Sequence, residues 1–99
     1  MNYRPLYPPH LREQILAAIG KGIVEGGGPA AFARLMNVST TTVTEWRDEK
    51  RAVPPARGAR FERAANGVVG RRDLWPDTYA EIWPELAPAS QPANTAQNS

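Results

Sequence analysis

Apolar residues recur at three- and four-residue intervals early in the chain. Leu11, Ile15, Ala18, Ile19 and Ile23 share one face when wound as an α-helix. The spacing predicts a first helix over about 9–24, with Pro8 and Pro9 at its first turn. Gly20 and Gly22 are expected to weaken its end, and Gly26, Gly27 and Gly28 to stop it. A second helix is predicted over about 29–36, with Phe32, Leu35 and Met36 as its apolar face. Its small Ala33 suits a close helix crossing. Asn37 ends it, because asparagine tolerates the left-handed conformation of a tight turn. Val38 anchors the turn, and Ser39 is a natural N-cap for a third helix over about 39–51. Val43 and Trp46 face inward from that helix, three residues apart.

The later pattern is shorter. Pro54 and Pro55 break the chain and start a fourth helix over about 55–65, with Phe61, Ala64 and Ala65 inward. Asn66 and Gly67 stop it, with Gly67 free to take positive φ. Val68 and Val69 read as a short extended piece. A last helical segment is expected over about 76–83, opened at Asp73 or Trp75, packed through Tyr79, Ile82, Trp83 and Leu86, and ended by Pro84. The expected class is all-α, a compact domain of four to five helices over about 9–86, behind an N-terminal extension over 1–8. Residues 87–99, APASQPANTAQNS, carry no charge and no large apolar residue and are expected to be a disordered tail. The 99 residues allow one domain with a small core, which a partner subunit would enlarge.

Two short helices joined by a tight turn with this spacing form a helix-turn-helix. Such a unit places its second helix in the major groove and lays its first across the backbone. Ser39, Thr40, Thr41, Thr44 and Glu45 then face the bases. Threonine hydroxyls donate or accept, threonine methyls pack on thymine methyls, and a glutamate accepts from cytosine. Threonine is a mediocre helix former, so the run of threonines is an odd choice for stability alone. Arg34, Arg47, Lys50 and Arg51 are assigned to phosphates, as are the backbone amides of Ala30 and Ala31 at a helix start. Net charge is only +2, but residues 29–73 hold nine basic and five acidic side chains, so the basic excess coincides with this segment.

The stretch AAFARLMNVSTTTVTEWRDEKRAVPPARGARFERAANGVVGRRDLWPD resembles the Cro/YdaS-type phage and prophage regulators, an antitoxin-like branch of the lambda-repressor-like proteins. The matching features are Ala33-Arg34, Val38-Ser39, Val43 with Trp46, Val53-Pro54, Glu62, Arg72-Asp73-Leu74 and Pro76-Asp77. The likeness covers about 15–77. It implies a dimeric, double-stranded-DNA-binding transcriptional regulator, a Cro-like repressor or YdaS-like antitoxin, from the cytoplasm of a bacterial or phage-infected cell. It also implies base reading by Thr40, Thr41 and Thr44. Asn37 departs from the glycine common at that turn, and Glu45 places a negative charge near DNA.

Other chemistry is sparse. There is no cysteine, and His10 is the lone histidine, so no metal site, cofactor or nucleophile–base pair is expected, and the chain reads as no enzyme. Gly26 to Gly28 follow a helix rather than a strand and lack a lysine–serine ending, so they are a helix stop, not a phosphate loop. No apolar run is long enough to span a membrane. Trp75, Tyr79, Ile82 and Trp83 admit two readings, core packing or a dimer interface. The alternative function is a protein-interaction module that binds a toxin or another regulator through the same helices.

Overall fold

The structure, a computed structural model, describes residues 6–87. Six α-helices and no strand occur among the described residues: α1 (Arg12–Glu25), α2 (Pro29–Met36), α3 (Thr40–Arg47), α4 (Gly58–Ala64), α5 (Arg71–Leu74) and α6 (Tyr79–Ile82). Single 3-10 turns, Pro55–Arg57 and Pro84–Leu86, precede α4 and follow α6. The all-helical class is as expected. Of the predicted tail, 88–99 lies outside the described residues, as does 1–5 of the predicted extension.

Several expected boundaries change. Helix α1 starts at Arg12, because Pro8 to Leu11 form a separate turn, with Leu11 N donating to Pro8 O at 2.9 Å. It then runs unbroken through Gly20 and Gly22 to Glu25. Gly22 is buried rather than weakening: an added Cβ there would lie 2.7 Å from Phe61 Cε1. The predicted helix over 39–51 ends at Arg47, because Glu49 takes the left-handed conformation with φ 61°. Val68 and Val69 form a bend, not a strand. The predicted segment over 76–83 is shorter, α6 covering only Tyr79–Ile82, and a separate α5 precedes it. Asp73 does not open it but sits in α5, where its carboxylate accepts from Gly70 N at 2.8 Å. Trp75, which precedes a proline and so avoids helical geometry, separates α5 from α6.

One hydrophobic core joins all but the last helix. Ile15, Ile19 and Ile23 of α1 meet Phe32, Ala33 and Met36 of α2, Val43 and Trp46 of α3, and Phe61 and Ala64 of α4. Val53, Ala65, Val69 and Leu74 complete it. Phe61 lies at its centre, edge-on to Phe32 at 4.8 Å and tilted against Trp46 at 6.2 Å. Leu35 is not part of it and is 52% exposed. The buried residues Phe32, Ala33 and Met36 centre the inner face between them, and Leu35 falls about 100° away on a 3.6-residue helix.

Candidate nucleic-acid interface

Helix α2 packs mainly on α3, and the turn between them is built as the residues require. Asn37 takes φ 60°, ψ 45°, and Val38 N reaches back to Ala33 O at 3.0 Å. Ala33 is buried beneath the junction. Ser39 leaves in extended conformation, and its Oγ accepts from Thr42 N at 3.1 Å, capping α3. Val43 and Trp46 are fully buried and fix the helix by its inner face. Trp46 Nε1 has no hydrogen-bond partner among the described residues, so packing holds this side chain.

The outer face of α3 presents the predicted set in unequal states. Thr40 and Thr41 are exposed, with no side-chain hydrogen bond among the described residues. Thr44 is half-buried and donates its hydroxyl proton to Thr41 O at 2.9 Å. Its oxygen is left as an acceptor and its methyl as an apolar contact. Ser39 is committed to its cap and to Thr42 Oγ1 at 2.9 Å. Glu45 accepts from Arg51 Nε at 2.9 Å. Arg47 grips Asp48 through two nitrogens, at 3.0 and 3.3 Å. That pairing holds the Asp48 carboxyl below its ordinary pKa. Lys50 and Arg34 are exposed, and Ala30 lies in the exposed first turn of α2, ahead of the helix's first closing bond from Phe32 N.

Sequence reasoning missed the anchor of the loop that follows α3. Lys50 N and Arg51 N both return to Glu45 O, at 2.9 and 3.2 Å, folding the loop onto the last turn of α3. Glu49, between them and the helix, reaches α1, where Arg12 Nε donates to both its carboxylate oxygens at 2.9 Å. These partners are too far apart in the chain for any local pattern to pair them. Tyr7 packs beside them on the core with its hydroxyl buried, near the Val53 backbone but in no well-formed hydrogen bond among the described residues. Burial raises the Tyr7 pKa, the Glu49 carboxylate adds to the rise, and the Val53 backbone opposes it.

The aromatic C-terminal segment is engaged within the chain. Trp75 and Trp83 meet edge-to-face at 5.2 Å over buried Gly58, where an added Cβ would lie 3.0 Å from both rings. Arg71 stacks over Trp83 at 5.3 Å while bridging Glu62 at 2.9 Å, and Arg72 stacks over Tyr79 at 5.5 Å. Ile82 is 39% exposed. No group of acidic, histidine or cysteine residues among those described is arranged to hold a metal ion, and no helix is long and apolar enough to cross a membrane.

A family model described as "Bacterial toxin YdaS" matches residues 19–83, from within α1 through α6. A relative in Escherichia coli (strain K12), "Putative transcriptional regulator YdaS", is 41% identical over 51 residues, which is 52% of this chain and 52% of the relative. The match thus spans about half the length of that relative. No solved structure matches the chain. The family model takes in the turn, the capped third helix and the aromatic segment folded over α4, more than half of the sequence, and the chain belongs to the YdaS family.

Proposed function

We propose that this protein is a sequence-specific regulator of transcription that binds double-stranded DNA through its 9–86 domain. Helix α3 reads the major groove, with Thr40, Thr41 and Thr44 toward the bases and Ser39 and Glu45 at the edges of that set. Arg34, Arg47, Lys50, Arg51 and the Ala30 amide meet phosphates. The observation that carries the reading is the capped α3, pinned from within by Val43 and Trp46 while the Thr40 and Thr41 side chains stand exposed with no side-chain hydrogen bond among the described residues. Rigid support beneath an exposed polar face is what base reading needs. The regulator part of the reading is supported by the name of the bacterial relative, a putative transcriptional regulator; action in the cytoplasm of a bacterial or phage-infected cell, as a non-enzymatic homodimer, is part of the proposal. Selection of bound duplexes from a random pool tests the reading. A shared motif repeated at a spacing of about one helical turn is expected. Failure to enrich any sequence refutes it.

A second reading, a module that binds a protein such as a toxin or another regulator, draws on exposed Leu35 and Val24, the latter 73% exposed. A partner retained after nuclease treatment, with no duplex binding by the pure chain, favours it over DNA recognition.

A further inference from the structure

Both arginines assigned to phosphates at the C-terminal end of α3 already hold carboxylates. Arg47 grips Asp48 with Nε and Nη2, and Arg51 donates Nε to Glu45. A guanidinium fork meets a carboxylate and a phosphate with the same geometry, so each carboxylate occupies a phosphate's place. Arg47, Lys50 and Arg51 are balanced by Glu45, Asp48 and Glu49, which makes residues 40–51 electrically neutral. Glu45 and Asp48 do not serve the helix. They sit at its C-terminal end, where the macrodipole disfavours negative charge. The four paired side chains are between 30% and 60% exposed, so the pairs are solvent-screened and can exchange.

We propose that Glu45 and Asp48 are specificity determinants, which keep Arg51 and Arg47 from phosphates on arbitrary DNA and release them only on a matching site. The proposal rests on the DNA-binding reading. On a non-matching duplex, binding depends on charge alone, and a neutral helix and loop offer little of it. On a matching duplex, contacts from Thr40, Thr41 and Thr44 supply the free energy that moves the two carboxylates aside. Discrimination then comes from suppressing the wrong partner as well as from favouring the right one.

The test is anisotropy of labelled duplexes with the full chain, between about 50 and 200 mM salt. The probes are a random-sequence duplex and one recovered by selection, and the variants are Glu45→Gln, Asp48→Asn and their combination. Each arginine freed neutralises about one more phosphate, which steepens the log–log salt slope on random duplex by about 0.9. Over that salt range the gain is about 3.5-fold per arginine and about 12-fold for the double variant. The slope on the selected duplex stays nearly constant, because both arginines are engaged there already. Glu81→Gln, on exposed α6, removes the same charge elsewhere and should leave both slopes unchanged. The substitutions are isosteric at partly or fully exposed side chains, and the helical circular dichroism of each variant verifies its folding. If the double variant behaves like Glu81→Gln on random duplex while the wild type binds, the proposal is overturned and the DNA-binding reading stands. If the wild type binds no duplex at the lowest salt, both are overturned.

Discussion

Two glycines of α1 that look alike in the sequence should respond differently to the same substitution. At Gly20 an added Cβ meets nothing within 4 Å. Gly20→Ala therefore gains helix propensity and reduced chain entropy, about 1 kcal/mol. At Gly22 the same methyl would lie 2.7 Å from Phe61 Cε1, 3.2 Å from its Cζ and 3.4 Å from Ala65 Cβ. Optimal carbon contacts are about 3.5–4.0 Å, so the ring or the helix must move. The ring has little room, because Phe32 lies 4.8 Å from it and Trp46 6.2 Å, centroid to centroid. Overpacking of this kind costs about 1–3 kcal/mol, and the helix gain offsets about 1. Gly22→Ala is thus neutral to destabilising by about 2 kcal/mol, and the gap between the two variants is the overpacking cost itself. At about 4–8 °C per kcal/mol, Gly20→Ala should melt above the wild type and Gly22→Ala well below Gly20→Ala. Thermal and urea denaturation followed by circular dichroism measure both. Equal stability of the two variants would show that Phe61 does not pack against α1.

Two further outcomes follow from the interface and its support. Thr41→Ala and Thr44→Ala should each cost the selected duplex about 1 kcal/mol, roughly fivefold, while affinity for random duplex stays nearly constant; anisotropy with both duplexes decides, and equal losses show that the threonines do not read bases. Tyr7→Phe removes a buried hydroxyl that makes no well-formed hydrogen bond among the described residues, so stability at neutral pH should hold or rise by about 1 kcal/mol. Because the folded Tyr7 pKa is raised above its unfolded value of about 10, its proton-linked contribution is complete below that pH and lost as pH climbs through the folded pKa. Urea melts between about pH 8 and 11 should show a fall that Tyr7→Phe reduces. An identical fall in both proteins refutes the assignment to Tyr7.

What could be read from the sequence was whatever depends on near neighbours. The helix-turn-helix is of that kind: Ala33, Asn37, Val38, Ser39, Val43 and Trp46 act over a few residues, and each takes its expected place. Leu35 failed because eight residues of helix leave room for two apolar stripes, and only tertiary packing chooses between them. Gly22 failed because its role is set by Phe61, which arrives from α4. The hydrogen bonds of the proposed base-facing set sort it. Ser39 and Thr44 are partly spent within the helix, whereas Thr40 and Thr41 are not.

The ends of the helices explain why the loop after α3 depends on the N-terminal part of the chain. Four helices close the same way, with a left-handed residue after the last turn and the next amide bonded back to a carbonyl five residues earlier: Gly28 N to Ile23 O, Val38 N to Ala33 O, Lys50 N to Glu45 O and Gly67 N to Glu62 O. At three of them the left-handed residue is Gly27, Asn37 or Asn66, types that take the conformation at little cost. At the fourth it is Glu49, for which that conformation costs about 1–2 kcal/mol. A glycine there would be easier for the backbone but could not reach Arg12. The glutamate links the exit of α3 to the start of α1 through both carboxylate oxygens, with its side chain only 10% exposed. Lys50 and Arg51, which the proposed function sends to phosphates, hang from this tethered residue. Their position is therefore set by α1 as well as by α3.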